Sequence, residues 1–203
     1  MKIIYPILFA IILSACSTPA TPTPTSTIAP SKTPAITETP LATTTAICGS
    51  PGPTEEDIDS ALDYTGDVFD PAEWEESHTL GEESVSVVWQ NIPQGAVAFL
   101  ELIIFPCGYE EPDLNHFLDQ DHWDVLFANY DSYELIEECR SDDGLRLYVF
   151  EAVSQGLDYN IRYWSENDTA ERIITTMLTF PFGSDQLMGE YSIALFPELP
   201  DCS

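Results

Sequence analysis

Two residue groups in this 203-residue chain have types and spacing suited to chemistry. The first is Arg146, Tyr148, Arg162 and Trp164. If the two segments carrying them pair as an antiparallel hairpin with Val153 opposite Leu157, Arg146 faces Trp164 and Tyr148 faces Arg162. Cation–π stacking on one strand face then makes a basic, aromatic patch suited to a glycan or an acidic protein partner. Glu101, set in the apolar run Ala98-Phe99-Leu100-Glu101-Leu102-Ile103, is the natural buried partner for either arginine. The second group is His116, Asp119 and His122, a weak metal candidate: three-residue steps leave the histidines 120° apart on one helix, so only a kink unites them.

Other chemistry finds little footing. Asp57-Ile58-Asp59 and Asp119-Gln120-Asp121 open like calcium loops, but the sixth positions hold Leu62 and Asp124 where glycine is needed. The twelfth positions hold Val68 and Tyr130 where a glutamate must close the site. No Gly-x-Ser-x-Gly elbow, phosphate loop, dinucleotide fingerprint or His-Glu-x-x-His occurs, so neither catalytic residues nor cofactors are expected.

The elements that must position these residues are legible in outline. Pro53-Thr54-Glu55-Glu56-Asp57 starts a short helix with Ile58, Ala61 and Leu62 on one stripe. Alternation over Val85–Gln90 and the apolar run Ala96–Phe105 read as a hairpin turning at Asn91–Gly95. Asp113–Tyr130 reads helical, but its apolar stripe changes sides, so it kinks near Asp119-Gln120-Asp121. Tyr133–Arg140, Leu145–Val153 and Leu157–Trp164 form an antiparallel meander. Asp168, with Glu171 three residues on, caps a predicted helix carrying Ile173, Ile174, Met177 and Leu178; the tail through Tyr191, Ile193 and Leu195 is a strand or extended cover. The expected class is α+β: an antiparallel sheet of about five strands, a kinked central helical segment and a C-terminal helix, stapled by disulfides. The run Leu157-Asp158-Tyr159-Asn160-Ile161-Arg162-Tyr163-Trp164, an acidic turn and a helix ending at Leu178-Thr179-Phe180 resemble the close of the PsbP-like fold family, whose known members are mostly non-enzymatic.

The N-terminus carries a sharper signature. Met1-Lys2 and the apolar run Ile3–Leu13 have the length of a signal peptide and fall short of a membrane span. Leu13-Ser14-Ala15-Cys16 resembles the lipobox of bacterial lipoproteins. The resemblance implies cleavage after residue 15, a diacylglyceryl group on Cys16, and an extracytoplasmic chain anchored to a bacterial membrane. Residues 16–47 then form a linker: eleven threonines, six prolines and no aromatic between residues 17 and 47. Such composition disfavours a packed core and favours extended polyproline II, about 3.1 Å per residue, or roughly 90 Å of reach.

Residues 48–203 are the cored domain. They hold 34 Asp and Glu against four Arg and no Lys, within a chain of net charge -29. A surface so negative repels phosphate backbones, which excludes nucleic acid as a partner. Four cysteines remain beyond Cys16, an even number suited to an oxidising compartment, and the expected pairs are Cys48 with Cys202 and Cys107 with Cys139. The expectation is an anchored binding or scaffolding module, not an enzyme. Its alternatives are an extracellular hydrolase with a carboxylate pair and a calcium-dependent adhesion module.

Overall fold

The computed structural model describes residues 52–202. The signal-peptide, lipobox and linker expectations, together with Cys48, lie outside them. Helix α1 (Glu55–Thr65) is followed by strands β1 (Glu75–Leu80), β2 (Ser84–Asn91) and β3 (Ala96–Ile104). Helices α2 (Glu111–Phe117) and α3 (Gln120–Leu126) come next, then β4 (Ser132–Arg140), β5 (Arg146–Ser154), β6 (Leu157–Thr169), β7 (Arg172–Pro181) and α4 (Asp185–Leu195). The strands make one antiparallel sheet in the order β1-β2-β3-β7-β6-β5-β4, two strands more than expected.

Period-2 alternation splits the core between the two faces of this sheet. On one face Val85, Val87, Leu100, Leu102, Leu147, Trp164 and Leu178 pack under α1 and α4. On the other, Tyr148, Phe150, Ile161, Tyr163 and Ile173 pack under Leu114, Leu118, Trp123 and Phe127 from α2 and α3. The helical segment breaks at Leu118 and Asp119, where the Asp119 Oδ1 accepts the Asp121 backbone N–H at 3.0 Å and starts α3. The break lets Leu114 and Trp123 both meet the sheet, which resolves the two diverging stripes.

Three elements differ from the sequence expectation. The predicted helix after Asp168 is instead β7, a central strand between β3 and β6 that is buried on both sides from Ile173 to Phe180. Isoleucines and threonines at 173–176 and 179 favour this extended run, and burial on both faces outweighs the local capping signature. The Asp168 carboxylate binds Arg172 at 2.6 Å across the β6–β7 turn rather than capping a helix. The C-terminal helix is α4, in the tail expected to be extended: Met188 and Ser192 lie four residues apart on its buried side. Strand β1 was not expected: every one of its side chains is exposed, so no apolar alternation marks it. The strand–turn–helix pattern behind the PsbP-like resemblance is thus replaced by a strand–turn–strand pair.

Burial of phenols gives the fold a measurable alkaline limit. Tyr64, Tyr148 and Tyr163 are each held above the ordinary value of 10.0, chiefly by desolvation. The folded state therefore favours the neutral phenol; this stabilisation is complete below about pH 10 and lost as pH rises beyond it. In an alkaline titration, part of the phenolate absorbance is expected to appear only together with loss of far-ultraviolet circular dichroism. A full phenolate signal from a still-folded protein would contradict this.

Candidate functional site

The expected basic, aromatic patch does not form, because the hairpin register differs by one residue. Gln155 and Gly156 occupy a two-residue turn with φ of 54° and 77°, which pairs Ser154 with Leu157. Arg146 therefore lies opposite Ser165 and Tyr148 opposite Tyr163, while Arg162 lies opposite Val149 and Trp164 opposite Leu147. A one-residue shift moves one strand's set of side chains to the other face. Arg146 and Tyr148 accordingly point toward α2 and α3, and Arg162 and Trp164 point toward α4.

Each half has a structural task. Arg146, 5% exposed, donates from Nη1 to Asn115 Oδ1 at 2.7 Å and from Nη2 to Glu111 Oε1 at 2.7 Å, fastening α2 to the sheet. Arg140 donates to the same Glu111 oxygen at 2.6 Å. This bond, reinforced by the charges of Arg146 and Arg140, holds the Glu111 carboxyl below its ordinary value. On the opposite face Arg162 donates to Ser192 Oγ at 2.8 Å and to the Pro200 carbonyl at 2.7 Å. Burial pushes its guanidinium down, and Asp201 and Asp185 oppose that. Trp164 is fully buried, stacks on Phe196 at 4.7 Å between centroids, and donates from Nε1 to the Leu199 carbonyl at 2.9 Å. Glu101 pairs with neither arginine; it accepts the Ser84 hydroxyl at 2.7 Å.

The cysteines also pair differently. Cys139 is bonded to Cys202, with Cα atoms 5.5 Å apart, and Cys107 is also disulfide-bonded. Both expected pairs are overturned. Cys107 follows β3 and Cys139 sits in β4, and β7, β6 and β5 lie between those strands. Four strand spacings amount to about 19 Å, far beyond a disulfide's reach. The bridge instead straps the chain after α4 across the end of the sheet, beside Trp164 and Arg162.

The metal candidates separate at the helix break. His116 Nδ1 is 2.9 Å from Asp119 Oδ2 on the surface. His122 turns inward against Phe117 and Trp123, with a ring nitrogen 3.3 Å from the Tyr163 hydroxyl. Desolvation lowers the His122 pKa, with Asp119 working against it. Among the described residues, no group of three His, Cys, Asp or Glu side chains is placed to hold a metal ion.

What the sequence reading missed is a cleft of about 480 Å³ between the end of α1 and the outer strands. Asp67, Asp70 and Glu76 line it, together with Leu62, Phe69 and Trp89. Phe69, in the α1–β1 connection, stacks on Trp89 of β2 at 4.6 Å to form its floor, and Tyr191 of α4 backs Phe69 at 5.7 Å. Trp74 donates from Nε1 to the Tyr191 hydroxyl at 2.8 Å and fixes that floor. The Asp70 Oδ1 accepts the Ala72 N–H at 2.8 Å, which shapes the turn leading into β1. Carboxylates above an apolar floor suit a cationic group on an aliphatic stem. The run Asp67-Val68-Phe69-Asp70 was the available signal, yet only the pairing of Glu76 with Trp89 brings β1 to it.

A scan against family models found no match, and no curated protein matches the chain. The functional reading therefore rests on the residues and their geometry.

Proposed function

We propose that this chain is a bacterial lipoprotein whose acidic domain is an extracytoplasmic, non-enzymatic binding module held to the membrane through Cys16. The observation that carries the binding role is the engagement of all four domain arginines in internal contacts. Arg140 and Arg146 hold Glu111, Arg172 holds Asp57 at 3.2 Å and Asp168 at 2.6 Å, and Arg162 holds the strap. The surface is left strongly anionic, with a cleft of about 480 Å³ rimmed by carboxylates. Such a field steers cationic partners toward the protein and repels anionic ones. Among the described residues no helix is long and apolar enough to cross a membrane. Anchoring by two acyl chains is sufficient on its own, at about 0.8 kcal/mol per buried methylene.

The anchor and the binding role are tested together in bacterial cells. Wild-type protein is expected to incorporate labelled fatty acid and fractionate with membranes, and Cys16→Ala to lose both properties. Crosslinking in intact cells is expected to trap a discrete partner on the wild type. Cytosolic protein with its initiator methionine intact would overturn the anchor; an absence of any crosslinked species would overturn the binding role.

A further inference from the structure

We propose that the outer edge of β1 docks an extended, basic segment of a protein partner, which adds as an outer strand and places a lysine or arginine in the adjoining cleft. This rests on the reading of the domain as a binding module and adds the chemistry of the partner and its mode of addition.

The two edges of the sheet are built differently. Strand β4 carries a register shift between Leu135 and Glu137 and a basic residue, Arg140, devices that blunt an edge against pairing. Strand β1 runs in unbroken register with β2 over six residues, from Glu75 opposite Gln90 to Leu80 opposite Val85. It has neither bulge nor proline, and among the described residues no strand pairs with its outer side. Its outward backbone N–H and C=O groups form a template for one more strand.

Charge selects the occupant. A second copy of this chain would bring another net charge of -29 to the same edge, and a phosphate-bearing partner meets the same repulsion. An extended basic segment is attracted instead. Side-chain alternation then supplies specificity. Glu76 lies opposite Trp89 on the sheet face that carries the cleft, so alternate side chains of an added strand stand on that face, about 4.8 Å outward from Glu76. A lysine or arginine there carries its aliphatic stem along Pro71 and Trp89 and its charge toward Asp67, Asp70 and Glu76.

The test uses the full acylated chain in detergent and a labelled peptide of alternating lysine and valine matched to the six residues of β1. The control peptide has the same sequence but is N-methylated at alternate residues, which removes the N–H groups of one edge and keeps the charge. The unmodified peptide is expected to bind and to slow amide exchange across Glu75–Leu80. The methylated peptide is expected to bind at least about tenfold more weakly. Glu76→Lys is expected to lose about tenfold in affinity, whereas Glu134→Lys on the β4 edge changes it less than about twofold, both variants having wild-type circular dichroism. Failure to bind, equal binding of the methylated peptide, or equal loss in the two variants would each overturn strand addition. A partner crosslinked in cells without protection of β1 would also overturn it while leaving the broader binding role intact.

Discussion

Replacing Cys139 and Cys202 with alanine is expected to lower the unfolding free energy by about 4 kcal/mol. The bridge spans a sequence separation of 63 residues, and closing a loop of that length removes much of the denatured chain's freedom. The native-state consequence is local. The strap after α4 keeps the Arg162 bond to the Pro200 carbonyl and the Trp164 bond to the Leu199 carbonyl, but loses its covalent end. Amide exchange is therefore expected to accelerate first in Phe196–Cys202 and at Trp164, ahead of the central strands β3 and β7. Peptide mapping of the oxidised protein is expected to recover Cys139 joined to Cys202. Recovery of Cys107 joined to Cys139 would refute the assignment, and an unchanged denaturation midpoint in the double variant would refute its energetic weight.

Glu111→Ala is expected to cost about 2 to 3 kcal/mol, and Arg146→Met only about 1. The order follows from where each charge sits. The Arg146 side chain is 6% exposed and Glu111 51%, so removing the carboxylate leaves a buried guanidinium with Asn115 and the Tyr148 hydroxyl, both neutral, beside it. Its Nε already lacks a hydrogen-bond partner among the described residues, leaving little to compensate. Removing the arginine instead returns Glu111 to water and to Arg140 at 2.6 Å. The sign of the pH dependence is fixed as well. Because the Glu111 pKa is lowered in the folded protein, its contribution is complete above the ordinary value of 4.5 and lost as pH falls below it. Denaturant titrations are expected to show wild type losing part of its advantage over Glu111→Ala on acidification toward pH 3. A larger penalty for Arg146→Met than for Glu111→Ala would show that the pair does not behave as a buried charge answered from the surface.

The register of one hairpin shows where reading the sequence stops. Arg146, Tyr148, Arg162 and Trp164 were recognisable as the residues worth following, and their strands formed as expected. Their partners depended on whether the turn held two residues or three. With Gln155 and Gly156 both at positive φ, the shorter turn formed and the patch divided between two faces. The cleft was harder still to foresee, because Asp67, Asp70 and Glu76 are three among 35 acidic residues until the sheet brings Trp89 beside Glu76.

Sequence alone determined the features governed by neighbours along the chain: the first helix, the β2–β3 hairpin, the broken α2–α3 segment, the meander, the anionic character and an α+β class. Each is set by composition or by apolar period over one short segment, which acts before distant parts meet. Tertiary structure alone decided the fate of Arg172–Pro181, the pairing of Cys139 with Cys202 and the place of β1 beside the cleft. A β-branched run becomes a strand when both of its sides are buried, two thiols pair when the tail after α4 is brought to the strand that carries the other, and a largely polar segment becomes an edge only because a neighbour offers its backbone.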